Sequence, residues 1–129
     1  MNLSPSDEKD RDTIRKIMDL LNKIRKRNLF FREKIKETKE QTRSAQTPKE
    51  IVEIVRRFIS QTTTDISLNL ESFGKILELG NTLEDYERWT SFLSNNLGSI
   101  CSTLEETNDA LRSIELLVRF VSAVSWFLS

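Results

Sequence analysis

The chain has 129 residues, 31% of them charged and 37% hydrophobic, with three glycines and two prolines. This length suffices for one domain with its own core, and the composition is typical of a helix-rich soluble protein rather than a β-rich or loop-rich one. Formal net charge is zero and histidine is absent, which removes the commonest catalytic acid/base and metal ligand. We predict one all-α domain over residues 1–129 that is not an enzyme.

The cellular compartment is predicted from cysteine usage and from the first residues. Cys101 is the single cysteine, so no internal disulfide requires an oxidising compartment. Met1 to Pro5 lack the basic then apolar order of a signal peptide, and no stretch approaches the 18 or so apolar residues of a membrane span. We expect a cytoplasmic protein in which Cys101 is a small core residue rather than a nucleophile.

The first helix is predicted over residues 5–45. Ser4 is a cap residue, Pro5 suits the first helical position, and Asp7 is an acid in the first turn. The charged stretch 7–12 should project into water. Residues at alternating steps of three and four then predict packing against other helices along the whole length: Ile14, Ile17, Leu21, Ile24, Asn28, Phe31, Ile35, Thr38, Thr42 and Ala45.

Asn28 is a polar residue within this apolar pattern. A buried amide at such a position fixes register or oligomeric state at some cost in stability, so Asn28→Leu should stabilise the fold. The alternative is an Asn that faces solvent at the edge of a bundle.

The second helix is predicted over residues 48–79. Thr47 and Glu50 flank Pro48 with the spacing of a capping box. Two successive steps of four form a stutter beside the poor helix-forming stretch 61–65, where a bend or local opening is expected. Gly80 should end the helix. The predicted packing face contains Val52, Val55, Ile59, Thr62, Ile66, Leu70, Phe73 and Leu77.

The third helix is predicted over residues 82–128, with Asn81 and Glu84 as its cap. Gly98 lies in a Ser- and Asn-rich stretch that could break the helix, but the unbroken three-four spacing favours a continuous one. The predicted packing face contains Leu83, Tyr86, Thr90, Leu93, Leu97, Ile100, Leu104, Thr107, Leu111, Ile114, Val118, Val121, Ser125 and Leu128.

Short turns make successive helices antiparallel neighbours, so we predict an elongated antiparallel three-helix, coiled-coil-like bundle. The alternative is a four-helix bundle, which would form if the third helix broke near Gly98 and folded back.

The end of the third helix is the first candidate interaction surface. Because the second helix is the shortest, the third should project beyond it from about Ile114, by roughly fifteen residues or about 22 Å. A projection that is apolar on nearly every side needs cover from another protein surface, most simply a second copy of the chain. The predicted interface residues are Leu116, Leu117, Phe120, Val121, Val124, Trp126, Phe127 and Leu128.

A basic cluster on the first helix is the second candidate surface. Residues 15–43 carry eleven Lys/Arg and four Asp/Glu, whereas residues 61–113 carry three and nine, so the two regions have net charges of +7 and −6. Clustered basic side chains gain affinity for phosphates by counterion release, which would suit nucleic acid or an anionic membrane. The candidate residues are Lys23, Arg25, Lys26, Arg27 and Arg32.

Other chemistry lacks support in the residues. No glycine-rich phosphate loop is present. Paired acids such as Glu84/Asp85/Glu87 and Glu105/Glu106 fit a solvated acidic face better than a di-iron centre, which needs Glu-x-x-His. We predict no cofactor, no metal and no small-molecule substrate.

Three functions remain as hypotheses. The first is a non-enzymatic interaction or scaffold protein that self-associates, or docks a helical partner, through its C-terminal helix. The second is a peripheral membrane-binding protein that uses the same apolar segment together with the basic cluster. The third is nucleic-acid binding through the basic cluster.

Overall fold

A computed structural model describes residues 4–128 and consists of three α-helices: α1 (Pro5–Ser44), α2 (Pro48–Asn81) and α3 (Tyr86–Leu128). Of these described residues 94% are helical, and none of them is in a strand. The predicted all-α three-helix bundle is therefore confirmed. The prediction made on Met1 to Leu3 lies outside the described residues.

The first two helices begin at the predicted caps. The Ser4 hydroxyl accepts a hydrogen bond from the Asp7 N–H at 3.1 Å. Thr47 Oγ1 accepts one from the Glu50 N–H at 3.2 Å, and the Glu50 carboxylate accepts one from the Gln46 N–H at 2.9 Å. These bonds satisfy donors that a helix start leaves without an intrahelical partner, which fixes where α1 and α2 begin.

The third helix begins later than predicted. Asn81 still belongs to α2, and the Thr82 hydroxyl donates to the Leu79 carbonyl where that helix ends. The cap of α3 is Asp85, whose carboxylate accepts the Glu87 N–H at 3.0 Å. The predicted cap at Asn81 and Glu84 is therefore wrong, because residues 82–85 form the turn.

Gly80 is needed for packing rather than for a left-handed helix end. The described glycines have no positive φ, so its conformation is open to other residues. A Cβ built on Gly80, however, would lie 2.3 Å from Cζ2 of Trp89. The absent side chain lets the indole of α3 pack directly on the backbone of α2.

Contacts between helices establish how they are arranged. Arg25 and Arg32 of α1 reach Ser99 and Glu106 of α3, so these two helices run parallel with a constant offset in sequence. Helix α2 runs antiparallel to both, and Arg56 near its start donates to Ser125 near the end of α3 at 2.8 Å.

The core consists of three clusters of buried residues along the bundle axis. The cluster nearest the α2–α3 turn contains Ile17, Leu21, Ile24, Ile76, Trp89 and Phe92. The middle cluster contains Phe31, Phe58, Ile66, Ala110 and Ile114. The cluster at the opposite end contains Val52, Val55 and Val121.

The predicted packing face is confirmed for α1 and, in the first half of α2, for Val52, Val55, Thr62 and Ile66, although Phe58 is buried there in place of the predicted Ile59. It is wrong for the leucines in the second half of α2. Leu70 and Leu77 are 54% and 62% exposed. After Ile66 the buried residues are Asn69, Ser72, Ile76 and Gly80. Two successive steps of four do occur among the buried residues, from Phe58 through Thr62 to Ile66, and α2 is continuous through 61–65.

In the first part of α3, Trp89 and Phe92 are buried in place of the predicted Thr90 and Leu93. From Leu104 onward the predicted face is displaced by one residue at every second position. Thr107, Ile114 and Val121 are buried as predicted, but Leu104 and Val118 are each 44% exposed. The buried positions between them belong to smaller or polar residues such as Thr103 and Ala110. The helix continues through Gly98, so the continuous α3 is confirmed and the four-helix alternative is wrong.

Candidate interaction surfaces

A charged cluster at one end of the bundle joins α1 to the α2–α3 turn. The Asp10 carboxylate is fully buried and accepts the backbone N–H groups of Glu84 and Asp85 at 2.9 and 3.1 Å. It also accepts a hydrogen bond from Arg88 at 2.9 Å, and Arg88 pairs with Asp7 as well. The prediction that residues 7–12 project into water is wrong for Asp7 and Asp10, which anchor the turn.

Asn28 lies in a buried polar layer that links all three helices. It is 2% exposed, and its Oδ1 accepts hydrogen bonds from Asn69 Nδ2 at 3.0 Å and from Thr107 Oγ1 at 3.2 Å. Its Nδ2 donates to the Thr103 carbonyl at 3.4 Å. The solvent-facing alternative is therefore wrong, and Asn28 fixes the alignment of the helices within one molecule.

The basic cluster does not form one continuous surface. Arg27 donates to Asn69 and Ser72 on the α2 side, at 3.3 and 3.1 Å. Arg25 and Arg32 instead face α3, where they contact Ser99 and Glu106. Lys23 and Lys26 are exposed on the outer face of α1. The five predicted residues thus lie on three sides of the helix, and three of them contact neighbouring helices.

The predicted C-terminal interface divides into a covered part and an exposed part. Val121 is 7% exposed and clusters with Val52 and Val55, while Leu117 and Val124 pack against the same cluster. A projection beginning near Ile114 is therefore wrong. Because the turn takes residues 82–85, α2 still lies beside α3 at Val121.

The exposed part of this segment is strongly apolar. Five predicted residues have between 46% and 80% of their surface accessible, and Trp126 and Phe127 pack edge to face with centroids 5.2 Å apart. Between α1 and α3 an apolar groove of about 300 Å³ is bordered by Ile35, Thr42 and Phe120. The five residues are Leu116, Phe120, Trp126, Phe127 and Leu128.

A second exposed apolar surface lies between α2 and α3 and was not predicted. It contains Leu70 and Leu77 of α2 with Leu97 and Leu104 of α3, all four of which had been assigned to the core. Cys101, one helical turn from Leu97, is also exposed, so its predicted core position is wrong. Large residues one position outside the buried face are the signal that would have revealed this surface.

Residues 4–128 contain no group of three or more Cys, Asp or Glu side chains placed to hold a metal ion. Within the same range no helix is long and apolar enough to cross a membrane. Comparisons with protein-family models, with curated proteins and with solved structures gave no match to this chain. The two exposed apolar surfaces are therefore the features of the structure that suggest a function.

Proposed function

We propose that this protein is a non-enzymatic interaction or scaffold protein. In this proposal, the C-terminal end of α3 binds a second copy of the chain. The observation that supports this is the exposure of Leu116, Phe120, Trp126, Phe127 and Leu128 within thirteen residues. Large aromatic side chains that are mostly exposed to solvent are typical of protein interfaces.

A second copy is favoured as the partner because the segment is electrically neutral. Residues 114–128 carry one acid and one base, Glu115 and Arg119, which pair with each other at 2.8 Å. Two identical segments can therefore meet without net charge repulsion. The groove beside Phe120 offers each copy an apolar surface on which a partner's aromatic side chain can pack.

Molar mass in solution tests this proposal. We expect the mass measured by light scattering to rise from monomer towards dimer with concentration. A Phe120→Ser/Phe127→Ser variant should raise the dissociation constant at least about tenfold, since buried interface aromatics contribute much of the binding energy. The matched control is Leu29→Ser, which removes a 48% exposed leucine from α1 and should leave the mass curve unchanged.

A protein that stays monomeric at every accessible concentration would overturn the proposal. So would equal association of the Phe120→Ser/Phe127→Ser variant and the Leu29→Ser control.

Fluorescence of Trp126 distinguishes self-association from membrane binding. A Trp89→Phe substitution first removes the signal of the second tryptophan. A blue shift caused by anionic liposomes, but not by higher protein concentration, would replace self-association by peripheral membrane binding. Retention on heparin that falls steeply with salt would favour nucleic acid.

We also propose a cytoplasmic location. The single cysteine, Cys101, is exposed and unpaired, which suits a reducing compartment. Fractionation of the cells that produce the protein tests this, and recovery in the membrane or secreted fraction would contradict it.

A further inference from the structure

The exposed apolar surface between α2 and α3 has no cover within the molecule. Leu70, Leu77, Leu97 and Leu104 have 54%, 62%, 56% and 44% of their surface accessible. We call these four residues the leucine groove. Their exposure is comparable with that of the C-terminal aromatics, but they lie in the part of the bundle nearer the α2–α3 turn.

The four leucines share one side of the bundle. The hydrogen bond between Arg56 and Ser125 identifies the flank on which α2 and α3 face each other. Leu70 and Leu77 follow Arg56 by two and three heptads, and Leu104 and Leu97 precede Ser125 by three and four. Residues a whole number of heptads apart lie on the same flank of a coiled-coil helix, so all four border the α2–α3 groove.

Gly74 lies on the α2 side of this surface, four residues after Leu70 and three before Leu77. A Cβ built on Gly74 would meet no atom within 4 Å. Glycine inside a helix is unfavourable, and here no contact within the chain requires it. The missing side chain leaves room for close approach by another helix.

The charge around the groove indicates the partner. Residues 61–78, which include both leucines of α2, carry three acids and one base, and residues 89–111, which include both leucines of α3, carry three acids and no Lys or Arg. Glu71 and Glu105 directly follow Leu70 and Leu104 in sequence and are exposed. Two copies meeting through this surface would bring acidic groups together, so a second copy is disfavoured.

We propose that the leucine groove binds an amphipathic helix of another protein, whose apolar side is flanked by Lys or Arg. The leucines supply the apolar contact, Gly74 allows close approach, and Glu71 and Glu105 pair with the basic flanks. In helix-in-groove binding of this kind, the groove contacts apolar side chains that recur every three or four residues along the bound helix. This surface is distinct from the C-terminal end and does not depend on self-association there.

Cys101 provides a direct measure of binding, because it is the single cysteine, is exposed, and lies between Leu97 and Leu104. The probe is a synthetic Leu/Lys amphipathic peptide of about 18 residues, or five helical turns. We expect this peptide to slow the reaction of Cys101 with a thiol reagent in a saturable way. A peptide of identical composition in scrambled order, which cannot form one apolar face, should give no protection.

Variants then separate groove binding from general attraction to acidic surfaces. Leu70→Ser/Leu97→Ser should weaken binding of the labelled peptide at least about tenfold, while Leu29→Ser on α1 should bind like the native chain. Glu71→Lys/Glu105→Lys should weaken binding and reduce its salt dependence. Gly74→Ala should raise the melting temperature yet weaken binding, because the new methyl group hinders close approach of the peptide; general attraction to acidic groups would not be affected by this substitution. Circular dichroism confirms that each variant is folded.

Equal binding by the native chain and the leucine variant would overturn the proposal, as would equal protection of Cys101 by the scrambled peptide. It would also be overturned if Leu70→Ser/Leu97→Ser abolished self-association of the protein alone, because a second copy would then cover the groove.

Discussion

Asp10 shows how one side chain can determine the geometry of a turn. A fully buried carboxylate is costly unless hydrogen bonds and opposite charge compensate it. Asp10 accepts the N–H groups of Glu84 and Asp85, which precede α3, and is paired with Arg88 of the first turn of that helix. The start of α3 is therefore tied to α1 through one residue, although Asp10 and Glu84 are far apart in sequence.

Asp10→Ala should lower the free energy of unfolding by about 3 kcal/mol. The variant leaves two backbone donors and part of the Arg88 charge without their acceptor, and each buried unsatisfied group costs about 1–3 kcal/mol. Asp12→Ala is the control, since Asp12 is exposed and its ion pair with Lys16 lies at the surface, where such a pair contributes at most about 1 kcal/mol. Urea denaturation measures both, and equal effects would show that the Asp10 network does not stabilise the turn.

Asn28→Leu should destabilise the protein by about 2 kcal/mol, opposite in sign to the expectation from sequence alone. Leucine would bury more apolar surface, but the amide of Asn69 and the hydroxyl of Thr107 would lose their shared acceptor. That loss outweighs the gain because buried donors without partners are expensive. The double variant Asn28→Leu/Asn69→Leu should recover part of the loss. A single variant more stable than the native chain in urea would contradict this.

At the scale of helices, hydrophobic spacing predicted the buried face correctly where the buried residues are apolar and less well where they are polar. In α1 the buried positions are mostly apolar, so hydrophobic spacing predicted them. In α2 and α3 the positions at the level of Asn28 are polar, namely Asn69, Thr103 and Thr107. A buried amide needs polar partners at its own level, and this requirement, rather than hydrophobicity, would have identified the correct face.

The three glycines should respond in opposite ways to the same substitution. Gly80→Ala should destabilise by about 2 kcal/mol, because the new Cβ would overlap Trp89, which is held between Gly80 and a stacked Phe92. Gly74→Ala and Gly98→Ala should each stabilise by about 0.5–1 kcal/mol, since both sites are open and alanine favours the helix. Thermal unfolding compares the three variants. Stabilisation by Gly80→Ala would mean that the indole is free to move aside.

At the scale of the whole molecule, the charge asymmetry predicted from sequence persists in the fold. Among the described residues, Arg32–Glu106 is the one salt bridge that joins residues 15–43 to residues 61–113, at 3.7 Å. The outer face of α1 therefore stays basic and the α2–α3 side acidic. Sequence predicted this asymmetry and the exposed C-terminal aromatics. It did not predict the leucine groove, since that requires knowing which leucines the core leaves out.

The two proposed surfaces should act independently of each other. Leu97 and Phe120, the nearer pair of substituted residues on α3, are twenty-three residues apart, which corresponds to about 35 Å at 1.5 Å per residue. Effects of substitutions this far apart, with no shared partner, usually add. A chain carrying Leu70→Ser, Leu97→Ser, Phe120→Ser and Phe127→Ser should therefore bind the Leu/Lys peptide as weakly as the groove variant alone. Its mass curve should match that of the C-terminal variant alone. Peptide titration and light scattering on the same samples measure both quantities, and a groove variant that shifts the mass curve would show that one surface serves both contacts.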